Sequence, residues 1–394
     1  MKKRLFATLL ACALGACSEQ SHAVPAYAPA SGDAAVAAGM QACSQRANDT
    51  PAKLDACITQ GALWARLSQF QRISDQNPGP NGHGNRDTGT PGYLASVNYV
   101  AGVMRAAGYA VTIQRYNWRG VHPDGAPKFQ TADRTGEYRR DLNDAAVSGT
   151  DYNLIADSKY GDPNRIVVVE WHLDAIFGAG ILDNASGSTT ILEVALALAK
   201  TPTHNRLRFV WFGGEELGLL GSNYYTHHLS AAQRKQIVFD EDVDVTATPN
   251  FDILVADPAL AYNHKKFPPN VIPQSKVGNE AFARFFARGG VVSQPAVFGN
   301  DGTDSNSFSL IGIPNTGVLT NQDCCKKAWE RKLWGGFLGN YEGTIPSFNG
   351  GCVDRPLRWC DNLSNNDPFV FQLVSKAVAY VTLFLANDAS LPRG

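Results

Sequence analysis

His172-Leu173-Asp174, then Gly180-Ile181-Leu182-Asp183-Asn184-Ala185-Ser186-Gly187, then Phe212-Gly213-Gly214-Glu215-Glu216-Leu217-Gly218: this stretch sets one imidazole and several carboxylates just past two apolar runs. The runs are Ile166-Val167-Val168-Val169 and Phe209-Val210-Trp211-Phe212. Continuous β-branched and aromatic segments suit parallel strands covered on both faces. The expected fold is therefore α/β, a central, mostly parallel mixed β-sheet flanked by helices on both faces. In such sheets ligands gather at the carboxyl ends of strands, where His172 and Glu215-Glu216 fall. Imidazole nitrogen beside carboxylate oxygen is zinc chemistry. Adjacent Glu215 and Glu216 cannot point one way on an extended segment, so they belong on a turn. Gly213-Gly214 supplies the backbone freedom for it.

Upstream, Asn77 to Gly92 is dense in Gly, Pro and Asn and reads as loop. Tyr93 to Ala107 carries Leu94, Val97, Val100, Ala101 and Met104 at helical spacing and stops at Gly108. Ala110 to Ile113 follows as a strand, and residues 115–149 form a polar excursion that fits a hairpin. Val36 to Phe70 fits a pair of helices. Downstream, helices are expected at Ser188–Ala199, Asn223–Gln236 and Gly278–Gly289. A long apolar helix from Val370 to Ala386 closes the fold.

These motifs resemble the two-zinc aminopeptidases of the bacterial leucyl aminopeptidase and aminopeptidase Y type. That family reads His-x-Asp, Asp-Asn-x-Ser-Gly, then a strand ending Glu-Glu-x-Gly-x-x-Gly-Ser, here Glu215 to Ser222. The likeness extends to Asn85–Tyr93, Gly302-Thr303-Asp304 and Cys360–Asn365, so it spans roughly residues 64 to 385. It implies a zinc-exopeptidase-like sandwich holding two Zn2+ ions. His172 and Asp244 would hold one, Glu216 and a late residue the other, with Asp183 bridging and Glu215 as general base. Asp174 would orient His172 from behind. The implied reaction is hydrolysis of the N-terminal peptide bond by a hydroxide shared between the metals. Phe239-Asp240 also matches the local pattern of the acidic ligand, but Thr248-Pro249-Asn250 sets the register on Asp244. The remaining acids of that run are expected on solvated surface. The late ligand is histidine in the family, whereas no histidine follows His264 here. Asp354 takes the position by register, with Asp361 as alternative. A protease-associated domain, present in aminopeptidase Y relatives, has no room between Gln114 and Asn153. Other readings are a carboxypeptidase or dipeptidase of this fold, a single-zinc enzyme like the glutaminyl cyclases, or a binding protein with weakened catalysis.

The chain begins Lys2-Lys3-Arg4, then an apolar stretch to Ala16, then Cys17. That stretch is too short to span a bilayer and has the basic flank of a secretory signal. Leu14-Gly15-Ala16-Cys17 resembles a lipoprotein cleavage box, giving a signal peptide at 1–16 and lipid attachment at Cys17. An ordinary signal cut elsewhere is the alternative. Residues 17–38 read as a flexible tether and 39–394 as a single catalytic domain with a helical extension at 39–75. The expected location is the periplasmic face of the outer membrane, or secreted, with membrane contact only through the lipidated end. Removing residues 1–16 takes the net charge from −1 to −4. With no basic run, nothing points to nucleic acid. The partners expected are peptides or proteins with a free N-terminus, and the protein is expected as a monomer. Six cysteines remain after Cys12 and Cys17, an even number suited to an oxidising compartment. Cys43 and Cys57 flank a short segment and pair. The resemblance implies a second disulfide, Cys352–Cys360. Adjacent Cys324 and Cys325 are left as a vicinal ring or as thiols.

Overall fold

The computed structural model describes residues 34–79, 82–119, 148–176, 178–297, 303–322, 325–342 and 361–392. The expected signal peptide, Cys17, Asp354 and the expected Cys352–Cys360 pair lie outside the described residues.

Three helices open the described residues: α1 (Ala34–Ser44), α2 (Pro51–Asp55) and α3 (Gln60–Asp75). A pair had been expected. Thr50-Pro51 and Thr59 make the difference, because each threonine hydroxyl accepts a first-turn amide and starts its own helix. Helix α1 also begins inside the stretch read as tether, since Ala34 to Ala38 is strong helix-forming sequence. Cys43 is bonded to Cys57, joining α1 to the end of α2. Helix α4 (Pro91–Ala107) starts on the Thr90 cap and ends at Gly108, whose φ of +92° is left-handed.

Strands β1 (Ala110–Arg119) and β2 (Ser148–Asp157) then pair antiparallel from Ala110↔Asp157 to Arg119↔Ser148. The two ends of the polar excursion are thus paired antiparallel strand, and its residues 120–147 lie outside the described set. Next come β3 (Asp162–His172), α5 (Gly187–Leu198), β4 (Asn205–Phe212), α6 (Leu220–His227) and α7 (Ala231–Gln236). One helix was expected over 223–236, but Ser230 forms a capping box with Gln233 and begins a second. The chain continues through β5 (Ile237–Val243), β6 (Leu254–Ala256), α8 (Val271–Arg288), β7 (Gln294–Ala296) and α9 (Ser305–Leu310). It ends with β8 (Asn315–Leu319), α10 (Ala328–Trp334) and α11 (Pro368–Asn387).

Among the described residues these strands form one sheet of eight, ordered β1-β2-β4-β3-β5-β8-β6-β7. Its centre is parallel, β4-β3-β5-β8, and both flanks carry antiparallel pairs, so the mixed α/β architecture read from the sequence is the one found. One face packs into the main core with α3, α4, α5, α8 and α11, contributed by residues such as Phe70, Val100, Leu192, Phe282 and Val378. The other face buries Val168, Val210 and Phe212 against Tyr225 of α6 and Phe308 of α9. Helix α11 is apolar and long enough to cross a membrane, yet two thirds of its apolar window is buried, which makes it a core helix. Register fixes the functional edge: His172 pairs with Phe212, and Glu170 with Asp242. The ends of β3, β4 and β5 therefore finish level with one another.

Candidate metal centre

His172 is the last residue of β3 and is buried. Its Nδ1 lies 3.2 Å from the Asp174 carbonyl and 3.4 Å from the Asp174 carboxylate. Its Nε2 lies 3.5 Å from Asp183 and 3.9 Å from Glu215. In a neutral ring, a proton on Nδ1 shared with Asp174 would leave the Nε2 lone pair available to a cation held with the other carboxylates. Among the described residues, His172, Asp183 and Asp244 form a buried trio whose ligand atoms all lie within 4.8 Å of one another. One imidazole and two carboxylates at that spacing suit zinc. Burial works against a charged imidazole, yet Glu215, Asp174 and Asp183 outweigh it and hold the His172 pKa well above its usual value.

Asp183 sits in a tight turn over Ile181–Ser186, and the Asp183–Asn184 peptide is cis. The amides of Leu182 and Asp183 donate to the Asp361 carboxylate at 2.7 and 3.0 Å. Asp361, the alternative late ligand, is therefore engaged in aiming the Asp183 backbone. Gly187 lets this turn meet β5, because a Cβ there would sit 2.6 Å from the Val243 carbonyl. Asp244 follows β5 directly and accepts the Val245 amide at 2.7 Å. Burial, then the Asp183 carboxylate, raises its pKa well above the usual range.

Glu215 and Glu216 lie on the turn after β4, which Gly214 enters at φ +68°. Their amides donate to the two Asp174 oxygens at 3.2 and 3.4 Å. Thr88 completes the arrangement by donating to Asp174 at 2.7 Å. Asp174 is thus wholly buried and locks His172 to the Glu215-Glu216 turn. Burial pushes the Glu215 carboxyl up to about 7, although the adjacent imidazole pulls the other way. Of the residues singled out in the sequence, His172, Asp174, Asp183, Glu215 and Asp244 come together, and Glu216 shares the turn with Glu215. Asp354 lies outside the described residues. Cys325 is disulfide-bonded, which removes the free-thiol reading for it.

The roles of two features are not read from the sequence. The first is Arg86, wholly buried, whose guanidinium donates to the carbonyls of Ala179, Leu173 and Gly180 at 2.7, 2.8 and 2.6 Å. It fixes the segment between His172 and Asp183; burial lowers its pKa to about 10 against the pull of Asp361 and Asp174. The second corrects the expectation that the other acids near Asp244 are solvated. Asp240, Glu241 and Asp242 are all wholly buried on the central strand β5. Glu241 accepts the Thr382 hydroxyl of α11, so Asp240 and Asp242 face the opposite side, where Ser305 of α9 donates its amide to Asp242. Glu170 and Asp304 join them there; burial with mutual repulsion raises the carboxyls of Glu170, Asp240 and Asp304, and burial raises Asp242 to about 7.

Residues 153–334 match peptidase family M28. The chain is 32% identical over 84% of its length to leupeptin-inactivating enzyme 1 of Streptomyces exfoliatus, spanning 63% of that protein. It is 31% identical over 60% of its length to an aminopeptidase of Pseudomonas aeruginosa, spanning 41% of it. A probable lipoprotein aminopeptidase of Mycobacterium tuberculosis is 30% identical over 68% of the chain, which spans 52% of it. The chain thus covers less than two thirds of these relatives' own length. Among solved structures, an aminopeptidase from Aneurinibacillus superposes with TM-score 0.58 at 16% identity, covering 88% of this chain and 98% of that one. A zinc aminopeptidase from Bacillus subtilis gives 0.55 at 17%, covering 85% and 97%. A glutaminyl cyclase of Porphyromonas gingivalis gives 0.53 at 17%, covering 82% and 98%. At these identities the structural likeness establishes the fold.

Proposed function

Because this chain belongs to peptidase family M28, we propose that it is a metal-dependent aminopeptidase that cleaves the N-terminal peptide bond of peptides. The observation that carries the reading is the buried trio His172, Asp183 and Asp244 beside Glu215. Those three residues would hold one zinc ion; Glu216 and Asp354, with Asp183 shared, would hold a second. When bound, such cations polarise oxygen and acidify water. The protein's own part is proton handling and alignment. Glu215 accepts a proton from the attacking water at a carboxylate oxygen and returns it to the leaving amine, a task suited by a pKa of about 7. Asp174 holds the His172 ring and the Glu215 amide in one frame, so the base and the ligand set keep a fixed separation. An aminopeptidase reading is favoured over a cyclase reading because relatives at 31% identity, such as the Pseudomonas aeruginosa protein, are named aminopeptidases, whereas the cyclases share only the fold.

We read the protein as exported, tethered through Cys17 and acting on peptides as a monomer. A disulfide between Cys43 and Cys57 and the lipoprotein relative support export. Glu215→Gln is the test. It should retain the wild-type metal content while turnover of aminoacyl-nitroanilides falls by at least ~10²-fold, the scale of a positioned general base. Undiminished turnover, or no turnover by the metal-loaded wild type on any aminoacyl substrate, refutes the proposal.

A further inference from the structure

The face built by α10 and the turn after it is unusually apolar for an exposed element. Trp329 is 49% exposed, Leu333 39%, Phe337 41% and Leu338 54%. Flexibility does not explain them, because the turn is clamped. The Asn250 side chain donates to the carbonyls of Phe337 and Asn340 at 3.0 and 3.1 Å and accepts the Phe337 amide at 3.2 Å. The Lys326 amide donates to Gly339 at 2.8 Å, and the Trp334 indole to Val292 at 2.7 Å. Gly335 and Gly336 take φ of +74° and +78°, so glycines shape the turn that holds Phe337 and Leu338 outward. A rigid scaffold that displays large apolar side chains to water marks a contact surface.

Charge narrows what that surface contacts. Lys327, Arg331 and Lys332 are exposed in the same segment. Glu330, the acid within the helix, is buried, accepting the Lys327 amide and the Tyr341 hydroxyl. The exposed charges of the segment 327–338 are therefore all positive, on a chain whose net charge is −1. Exposed tryptophan, phenylalanine and leucine interspersed with lysine and arginine is the composition of an interfacial element that enters an anionic lipid surface. A peptide bringing a cationic amino terminus fits this segment less well. Asn250 lies on the loop following Asp244, so the patch shares the edge of the sheet that carries the metal centre.

We propose that α10 and the 335–340 turn dock this protein onto an anionic lipid surface, with Phe337 and Leu338 entering the headgroup layer. The contact is independent of any acyl chain and of the catalytic reading. The test uses the full chain carrying Cys17→Ser, so that no acyl group contributes, sedimented with vesicles of phosphatidylcholine alone or mixed with phosphatidylglycerol. Binding to the anionic vesicles is expected, weakening as salt is raised. Combined Lys327→Glu, Arg331→Glu and Lys332→Glu should weaken it on the order of 100-fold, since each basic group near such a surface adds roughly fivefold. Phe337→Ser with Leu338→Ser should abolish it while the thermal unfolding midpoint stays at the parent value. Absence of binding by the parent chain overturns the proposal, as does equal binding by parent and both variants. Self-association abolished by the Phe337→Ser and Leu338→Ser pair, without vesicle binding, assigns the face to a second copy and likewise overturns it.

Discussion

Asp242→Asn should make the metal-free protein more stable at neutral pH, and the gain should disappear in acid. Asp242 is wholly buried beside Glu170, Asp240 and Asp304, with one oxygen accepting the Ser305 amide and the other lacking a partner. Burial is the main reason its carboxyl is raised from 3.8 to about 7; the hydrogen bonds from Ser305 and the His172 charge only reduce the shift. The folded state then keeps a proton that the unfolded chain releases near pH 4. Stability from this group is full below that point and is lost as pH rises through about 7. A shift of about three units corresponds to about 4 kcal/mol at about 1.4 kcal/mol per unit. Asparagine keeps an acceptor for Ser305 and never ionises, so it escapes that loss. Urea unfolding of chelator-treated protein from pH 4 to pH 8 measures the difference. The two curves should meet near pH 4 and separate by several kcal/mol at pH 8, the variant being the more stable. Parallel curves, or a variant less stable at pH 8, would refute the argument that Asp242 is buried without compensation.

Arg86→Met should destabilise by about 3–5 kcal/mol, because three buried carbonyls lose their donor and nearby carboxylates lose a cation. Urea unfolding checks it, and a loss below about 1 kcal/mol would show that the guanidinium is dispensable. Asp354→Ala should remove one of two metal equivalents and leave the one held by His172, as counted by elemental analysis of purified protein. Retention of both equivalents would place the late ligand elsewhere.

The candidate site was legible in the sequence where its residues coincide with a strand end. Ile166 to Val169 and Phe209 to Phe212 are apolar enough to be read as buried strands, so His172 and Glu215-Glu216 fall at their ends without any knowledge of pairing. Asp183 and Asp244 needed the family motifs, because nothing local separates Asp244 from Asp240. Arg86 falls within the Asn85–Tyr93 motif, but its role is not legible there because its partners are main-chain carbonyls of Leu173, Ala179 and Gly180, and a carbonyl has no letter in the sequence. Asp174 was legible as a neighbour of His172, but its hold on the amides of Glu215 and Glu216 depends on how the β3 and β4 ends lie side by side. Register of that kind is a long-range property.

The acidic run of β5 was misread for a different reason. Three acids in succession, Asp240-Glu241-Asp242, suggest a solvated segment by composition, and burying carboxylates is costly. The strand is nonetheless central, between β3 and β8, and is covered on both faces. Its alternation divides the acids. Glu241 enters the main core and is met by Thr382, while Asp240 and Asp242 turn toward α9. Asp244 continues the even-numbered series beyond the end of the strand, just as His172 follows Glu170 along β3. The period of two that aims a ligand at the sheet edge therefore places an acid one step below it on the same face. In β3 and β5 the carboxylates beneath the candidate metal centre and the residues proposed to form it belong to one alternating pattern. A sequence reader who assigns Asp244 to the edge is bound by that pattern to place Asp242 in the interior.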